Sequence, residues 1–313
     1  MKRLKRILLA VLLIILLAPY LIPSEFDGVI PQQPYDNSQF FTTDENVTLH
    51  YRLWMPETPI KGQILMIHGL GASTFSFRHQ TEALKDAGYV VVAVDLPAFG
   101  YSDKRRGIGH SQLARASALW QMLDAISQQH DLDDPWTITG HSMGGSTALA
   151  MSNQRPLHVS SLIMIAPAIT TDNASFGWLF RSFVGQWMKV YLRYFAISED
   201  NFADILDSAS NGPVSDETIK GYLEPLMIRG TNRALIDFVA TAKNVTIDQW
   251  VANDTPMLVI WGEQDQWVSF DQLSIIRPYV KDLTEFSIKE EGHLPHETSY
   301  DIVNQTIMDW LES

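Results

Sequence analysis

The chain contains no cysteine. Disulfides, thiolate-ligated zinc, iron–sulfur clusters and cysteine nucleophiles are therefore excluded, as is an acylated lipoprotein cysteine. The redox compartment stays open. Basic residues are sparse after the first turn. Lys2, Arg3, Lys5 and Arg6 cluster at the N-terminus, yet the 313 residues sum to a net charge of −13. An acidic domain without a basic run repels polyphosphate, which argues against nucleic acid as a partner. The acidic excess reads as a solvated surface. The chain also lacks internal repeats and low-complexity tracts. With 46% hydrophobic residues it is long enough for one large α/β domain or two small ones.

What the sequence does have begins at its N-terminus. Residues 7–18 are uninterrupted apolar, and Pro19-Tyr20-Leu21-Ile22 extend the run to sixteen residues. A spanning helix takes about 17–25 residues and a signal-peptide core about 7–15. No small-residue cleavage pattern follows, and Pro19 and Pro23 stand where it would lie. Residues 1–23 therefore read as an uncleaved signal anchor. The four cations ahead of the run place the tail in the cytoplasm and the domain on the extracytoplasmic side of a single span. Residues 24–39, with Gly28, Gln32, Gln33, Pro31, Pro34 and Asn37, read as an extended linker.

After the linker, β-rich and helix-like stretches alternate. Strands are expected at 47–54, 63–67, 89–94, 136–139, 162–166, 257–261 and 284–288. Helices are expected at 75–87, 110–129, 143–153, 270–279 and 300–311. The strands are apolar throughout, as suits strands buried on both faces of a mostly parallel sheet. Residues 168–250 break this rhythm and are rich in aromatics, among them Phe176, Trp178, Phe180, Phe183, Trp187, Tyr191, Tyr194 and Phe195. Spacing at 180, 183/184, 187, 190/191 and 194/195 gives one apolar helix face. This segment reads as a helical cap between two parts of a core, 40–167 and 251–313. Such a face packs a cap, lines an acyl pocket or touches a membrane.

Four motifs carry chemistry, and a fifth, around Asp95, reads as structural. Gly140-His141-Ser142-Met143-Gly144 stands between a strand-like and a helix-like run. That strand-turn-helix context exposes the central hydroxyl on a sharp turn and aims a helix N-terminus at whatever it attacks. A serine hydroxyl needs a neighbouring base, and the base needs an orienting acid. A late strand runs into a turn holding Glu263 and Asp265, and His293 follows Gly292 after the last strand. His296 competes with His293, but Pro295 holds Leu294 extended, so the two imidazoles diverge and one reaches Ser142. His296 then reads as a structural or rim residue. His68-Gly69-Leu70-Gly71 follows an early buried strand, and Asp95-Leu96-Pro97-Ala98-Phe99-Gly100-Tyr101-Ser102 follows another.

In this order the motifs resemble those of α/β-hydrolase-fold serine hydrolases, esterase- or lipase-like with a cap. The resemblance covers roughly residues 40–313. It implies an α/β fold: a mostly parallel central sheet, helices on both faces and an inserted helical cap. It selects Ser142, Asp265 and His293 as a triad, Asp265 ahead of Glu263, with the backbone N–H groups of Leu70 and Met143 as oxyanion hole. Ala98 departs from the family's usual glycine. The implied activity is cleavage of a carboxylic ester, apolar or lipid-like in its acyl part, through an acyl-enzyme, with no metal or organic cofactor. Ser142 excludes relatives with an aspartate nucleophile. It leaves amidases or peptidases, C–C hydrolases and cofactor-free haloperoxidases on the same triad, and a non-catalytic ligand-binding protein on the same fold. Membrane contact through the N-terminal segment completes the expected partners.

Overall fold

In a computed structural model of the chain, the described residues are 2–169, 177–242 and 254–313. Eight strands form one sheet: β1 Ser38–Thr42, β2 Thr48–Trp54, β3 Gly62–Ile67, β4 Tyr89–Val94, β5 Trp136–His141, β6 Val159–Ile165, β7 Met257–Gly262 and β8 Leu283–Ile288. Their spatial order is β1-β2-β4-β3-β5-β6-β7-β8. β1 and β2 are antiparallel to their neighbours, and the others run parallel. Period-two alternation explains the apolar runs. Leu65 and Ile67 feed one core cluster while Ile64 and Met66 feed the cluster on the opposite face. Helices cover both faces, as a parallel sheet requires. They include α2 Arg78–Asp86, α3 Gln112–His130, α4 Met143–Gln154 and, after β8, α11 Tyr300–Leu311.

The expected strands are all present. The first surprise is β1, which pairs with β2 from Ser38 to Thr42, inside and just beyond the stretch read as linker. Residues upstream of it also have partners. Phe26 is 3% exposed, the Arg229 N–H donates to the Gly28 carbonyl at 2.7 Å, and the Arg52 guanidinium lies 4.0 Å from the Tyr35 ring centroid. The segment is extended, but it lies on the body of the protein. Proline and glutamine content reports the absence of a helix, not the absence of a docking site.

Helix boundaries shift for local reasons. α2 starts after a single 3₁₀ turn at Thr74–Phe77. α3 starts where the Ser111 hydroxyl accepts the Ala114 N–H. The helix expected at 270–279 is broken into a 3₁₀ turn, α9 Leu273–Ile276 and a second 3₁₀ turn opened by Arg277-Pro278, because proline cannot donate within a helix.

Residues between β6 and β7 form helices: a 3₁₀ turn Gly177–Arg181, α5 Phe183–Tyr191, a π turn Leu192–Ala196, α6 Glu199–Ser210, α7 Asp216–Leu226 and α8 Thr231–Thr241. Phe176 and the C-terminal edge of the expected cap, at 250, lie outside the described residues. The aromatic stripe is split between three short helical pieces, because Ser182 caps α5 through the Val184 N–H and stops the preceding turn from continuing. Phe202, Leu206, Tyr222, Leu223 and Leu226 gather into a third cluster with Phe26 and Leu294.

The N-terminal run forms a 20-residue helix, α1 Lys2–Leu21, which is long and apolar enough to cross a membrane. Its side chains are largely exposed. Pro19 lies inside it and has no N–H to return to the Ile15 carbonyl four residues back. The Trp187 indole of α5 donates to that carbonyl at 2.8 Å. α1 and α5 therefore meet at a defined hydrogen bond.

Candidate active site

Ser142 is the hinge between β5 and α4. Its backbone sits at φ 50°, ψ −119°, a strained conformation for a residue with a Cβ. Crossing glycines make the turn sterically feasible. A Cβ on Gly144 would lie 2.1 Å from the Ile67 carbonyl oxygen, and one on Gly140 would lie 2.6 Å from Gly144. The strain is held by the sheet: the Ser142 N–H donates to Ile165 at 3.0 Å and its carbonyl accepts from Gly145 and Ala168.

The structure brings His293 and Asp265 together. His293 Nδ1 is 2.7 Å from Asp265 Oδ2. The carboxylate can only accept, so Nδ1 carries the proton and Nε2 is the ring's acceptor. Asp265 is itself tightly fixed. Its Oδ1 accepts from the Trp267 and Val268 backbone N–H groups at 2.8 and 2.9 Å, and its Oδ2 also accepts the Trp261 indole at 3.1 Å. His293 is anchored by its own N–H, which donates to the Ala209 carbonyl at 2.6 Å. Glu263 turns toward the sheet edge, where it accepts from the Ser287 hydroxyl at 2.8 Å.

Ser142 and His293 face one cavity of about 720 Å³, roofed by cap residues and also lined by Leu70 and Met143. Met143 is the first residue of α4, so its N–H belongs to the helix's free N-terminal set. The loop carrying Leu70 is pinned through His68, whose Nδ1 donates to the Gly69 carbonyl at 2.7 Å and whose Nε2 accepts the Leu96 N–H at 3.0 Å. Loop and elbow are in close approach: a Cβ on Gly69 would come within 3.1 Å of the Ser142 Cβ.

The Asp95 motif is a structural hub. The buried carboxylate accepts the Thr74 N–H at 2.6 Å and the Tyr101 N–H at 2.7 Å, and faces His50 Nδ1 at 2.7 Å. Ala98 carries φ 81°, so the turn keeps the left-handed geometry of a glycine despite its methyl group.

His296 is not at the rim. It is fully buried, its ring 4.3 Å from that of His141 and 5.6 Å from Phe77. Burial, with the nearby His293 and Arg78 charges, pushes it down to about 3, so it is neutral packing. The motif reading overlooked His141, whose Nε2 donates to the His293 carbonyl at 3.0 Å and supports the candidate base from below. Its only sequence signal was a histidine beside the nucleophile. Also unforeseen was a buried link from core to cap, in which Glu297 accepts from Arg78 at 2.9 Å and from the Tyr222 hydroxyl at 2.7 Å. Burial raises this carboxyl to about 7 against the pull of Arg78. Nothing local in the sequence joins residues 78, 222 and 297.

Comparison with known proteins agrees with this architecture. An uncharacterized hydrolase of Bacillus subtilis, YugF, is 24% identical across 274 residues, covering 87% of this chain and 97% of its own. An esterase from Exiguobacterium antarcticum superposes with a TM-score of 0.70 at 17% identity, over 88% of this chain and 99% of that one. A membrane phospholipase A described as a bacterial virulence factor superposes with a TM-score of 0.68 at 19% identity, over 100% of both chains. At these identities the superpositions establish the fold. The family model described as "Serine aminopeptidase, S33" matches residues 58–286. The chain belongs to that family and is an α/β-hydrolase-fold hydrolase.

Proposed function

We propose that the protein is a serine hydrolase that cleaves carboxylic esters with an apolar acyl group. The observation that carries this reading is the His293–Asp265 pair at 2.7 Å facing the same apolar cavity as the strained Ser142. His293 Nε2 takes the proton of Ser142 as its oxygen attacks the ester carbonyl. Asp265 holds the imidazole in the required tautomer and stabilises the imidazolium. The Leu70 and Met143 N–H groups receive the developing oxyanion. Collapse breaks the ester bond, and the alcohol leaves with the proton from His293. Water, deprotonated by the same ring, then releases the acid. The residues present complete this sequence without a metal or organic cofactor.

An aminopeptidase, as the family's description names, must hold a substrate's ammonium group. Among the described residues, no Asp or Glu lines the cavity, whereas Phe180, Met188, Leu192, Phe202 and Phe238 do. That lining favours an acyl chain. The test is turnover of p-nitrophenyl esters of increasing chain length beside matched amides and aminoacyl anilides. Faster cleavage of medium-chain esters is expected. Preference for aminoacyl anilides would overturn the ester reading. Labelling by a fluorophosphonate that persists in Ser142→Ala would remove the nucleophile assignment.

The same proposal places α1 in a membrane with the domain on the extracytoplasmic side. Its length, its exposed apolar surface and the cations at its start support this. The chain should resist alkaline carbonate extraction, and external protease should digest the domain in intact cells. Protection of the domain would reverse the orientation.

A further inference from the structure

One wall of the cavity carries a charge with no counterpart among the described residues. Arg115, on α3, lines it beside Met143 and Ser146 and is only 1% exposed. Its Nε and Nη1 are buried with no acceptor. No ion pair among the described residues includes it, and its one recorded neighbour in kind is the Phe238 ring, 5.6 Å from the guanidinium carbon. Lys104, 5% exposed, donates to the Gly100 carbonyl at 2.5 Å, and the partly buried Arg78 meets Glu297 at 2.6 Å. Burial draws the Arg115 guanidinium down only to about 10, so it stays charged at neutral pH.

A buried, unpaired guanidinium is costly, because no acceptor repays its lost hydration. A purely structural role would show the reverse pattern, with its donors spent on backbone or carboxylate oxygens. Here the donors are unspent and the residue borders the space that holds the substrate. Arg115 is on α3, which packs beside α4, and α4 starts directly after Ser142; Ser146 is one turn along it. Arg115 therefore borders the same cavity as Ser142.

We propose that Arg115 is a specificity residue that receives an anionic group, carboxylate or phosphate, on the substrate, so that the preferred ester is an amphiphile with one negative charge rather than a neutral lipid. The inference rests on the ester-hydrolase reading above. A planar fork matches either oxyanion bidentately. The otherwise apolar walls accept the hydrocarbon part, and the charge fixes the direction in which the substrate lies. Carboxylates on the acyl side and phosphates on the alcohol side share this chemistry, and the experiment separates them.

The full-length chain in detergent micelles is assayed with p-nitrophenyl hemiesters of dicarboxylic acids from succinic to suberic, each beside the neutral ester of equal length. A second arm compares a 1-acylglycerol with its 3-phosphate. In one arm the wild type should favour the anion, and Arg115→Met should lower the anionic-to-neutral kcat/KM ratio by about 10- to 100-fold, mainly through KM, as loss of a charge-assisted hydrogen bond predicts. Arg115→Lys should keep part of the preference. Arg115→Met should also melt no lower than wild type, since it removes an unpaired buried charge. An unchanged ratio in both arms, or a lowered melting point with an unchanged ratio, overturns the proposal. If no ester is turned over, the hydrolase reading fails. Binding then decides the anion site: suberate or inorganic phosphate should raise the melting point of wild type and not of Arg115→Met, and equal shifts overturn it.

Discussion

The two walls of the cavity are built on different principles. The sheet side presents Ser142, Asp265 and His293 from turns at the ends of β5, β7 and β8, each held by backbone hydrogen bonds and close steric contact. The cap side presents Phe180, Met188, Leu192, Phe202 and Phe238 from short helices held by apolar packing and a few long-range polar links. Rigid strand ends fix the positions of the proposed catalytic groups, whereas short helices shape the space around them. Chemistry should therefore respond to single atoms on the sheet side, and substrate choice should respond to volume and charge on the cap side.

The most direct way to break this contrast is at the proposed nucleophile. Ser142→Ala should lower kcat by about 10⁶-fold with little change in melting point, and Asp265→Asn by about 10⁴-fold, because an amide favours the wrong His293 tautomer. Steady-state turnover of a p-nitrophenyl ester checks both, and a drop below tenfold in either would detach that residue from the chemistry. On the cap side, Phe202→Ala should cost about 3–5 kcal/mol of stability and shift the preferred acyl chain upward while fluorophosphonate labelling continues. Loss of labelling in that variant would show that the two walls are not separable.

A smaller effect is expected from pH. His296 is held near 3 by burial, whereas its unfolded value is 6.5. Its folded pKa is depressed, so only the unfolded chain takes the proton as pH falls below 6.5, and stability declines from there toward 3. Burial depresses His141 in the same direction. His296→Leu should make the decline shallower by up to about 1.4 kcal/mol per pH unit, read by urea denaturation across that window. An unchanged slope would mean that His296 charges in the folded state. The smallest effect belongs to the joint between α1 and α5. Trp187→Phe removes the donor to the Ile15 carbonyl and should cost about 1 kcal/mol. Restoring the helix's own donor with Pro19→Ala should make that substitution nearly silent. A full cost in both backgrounds would show that Trp187 acts by packing alone.

Much of the sheet-side wall was legible because its determinants are local. Apolar β-branched runs declare doubly buried strands, and Gly140 and Gly144 declare a turn where backbones nearly touch. The Gly-His motif marks His293 and set it ahead of His296. What was not legible has long-range causes. β1 is a short strand whose partner, β2, supplies the hydrogen bonds that make it one. The extended segment before it has no periodicity, and only the cap tells that Phe26 is buried. The helix expected at 270–279 failed on Pro278, a local signal outweighed by apolar spacing. His296 looked peripheral because sequence adjacency says nothing about depth.

The sequence by itself determined the order of strands, the strained serine and the chemistry available to it, because backbone sterics and side-chain protonation act over a few residues. The tertiary structure decided which partners those groups meet. It set Asp265 against His293, spent the indole of Trp187 on a carbonyl that proline had vacated, and closed a cap over an apolar cavity. It also buried Arg115 without an acceptor. Burial and pairing are properties of segments far apart in the chain, so desolvation, which makes an unpaired charge consequential, acquires its sign and size only when the chain has folded.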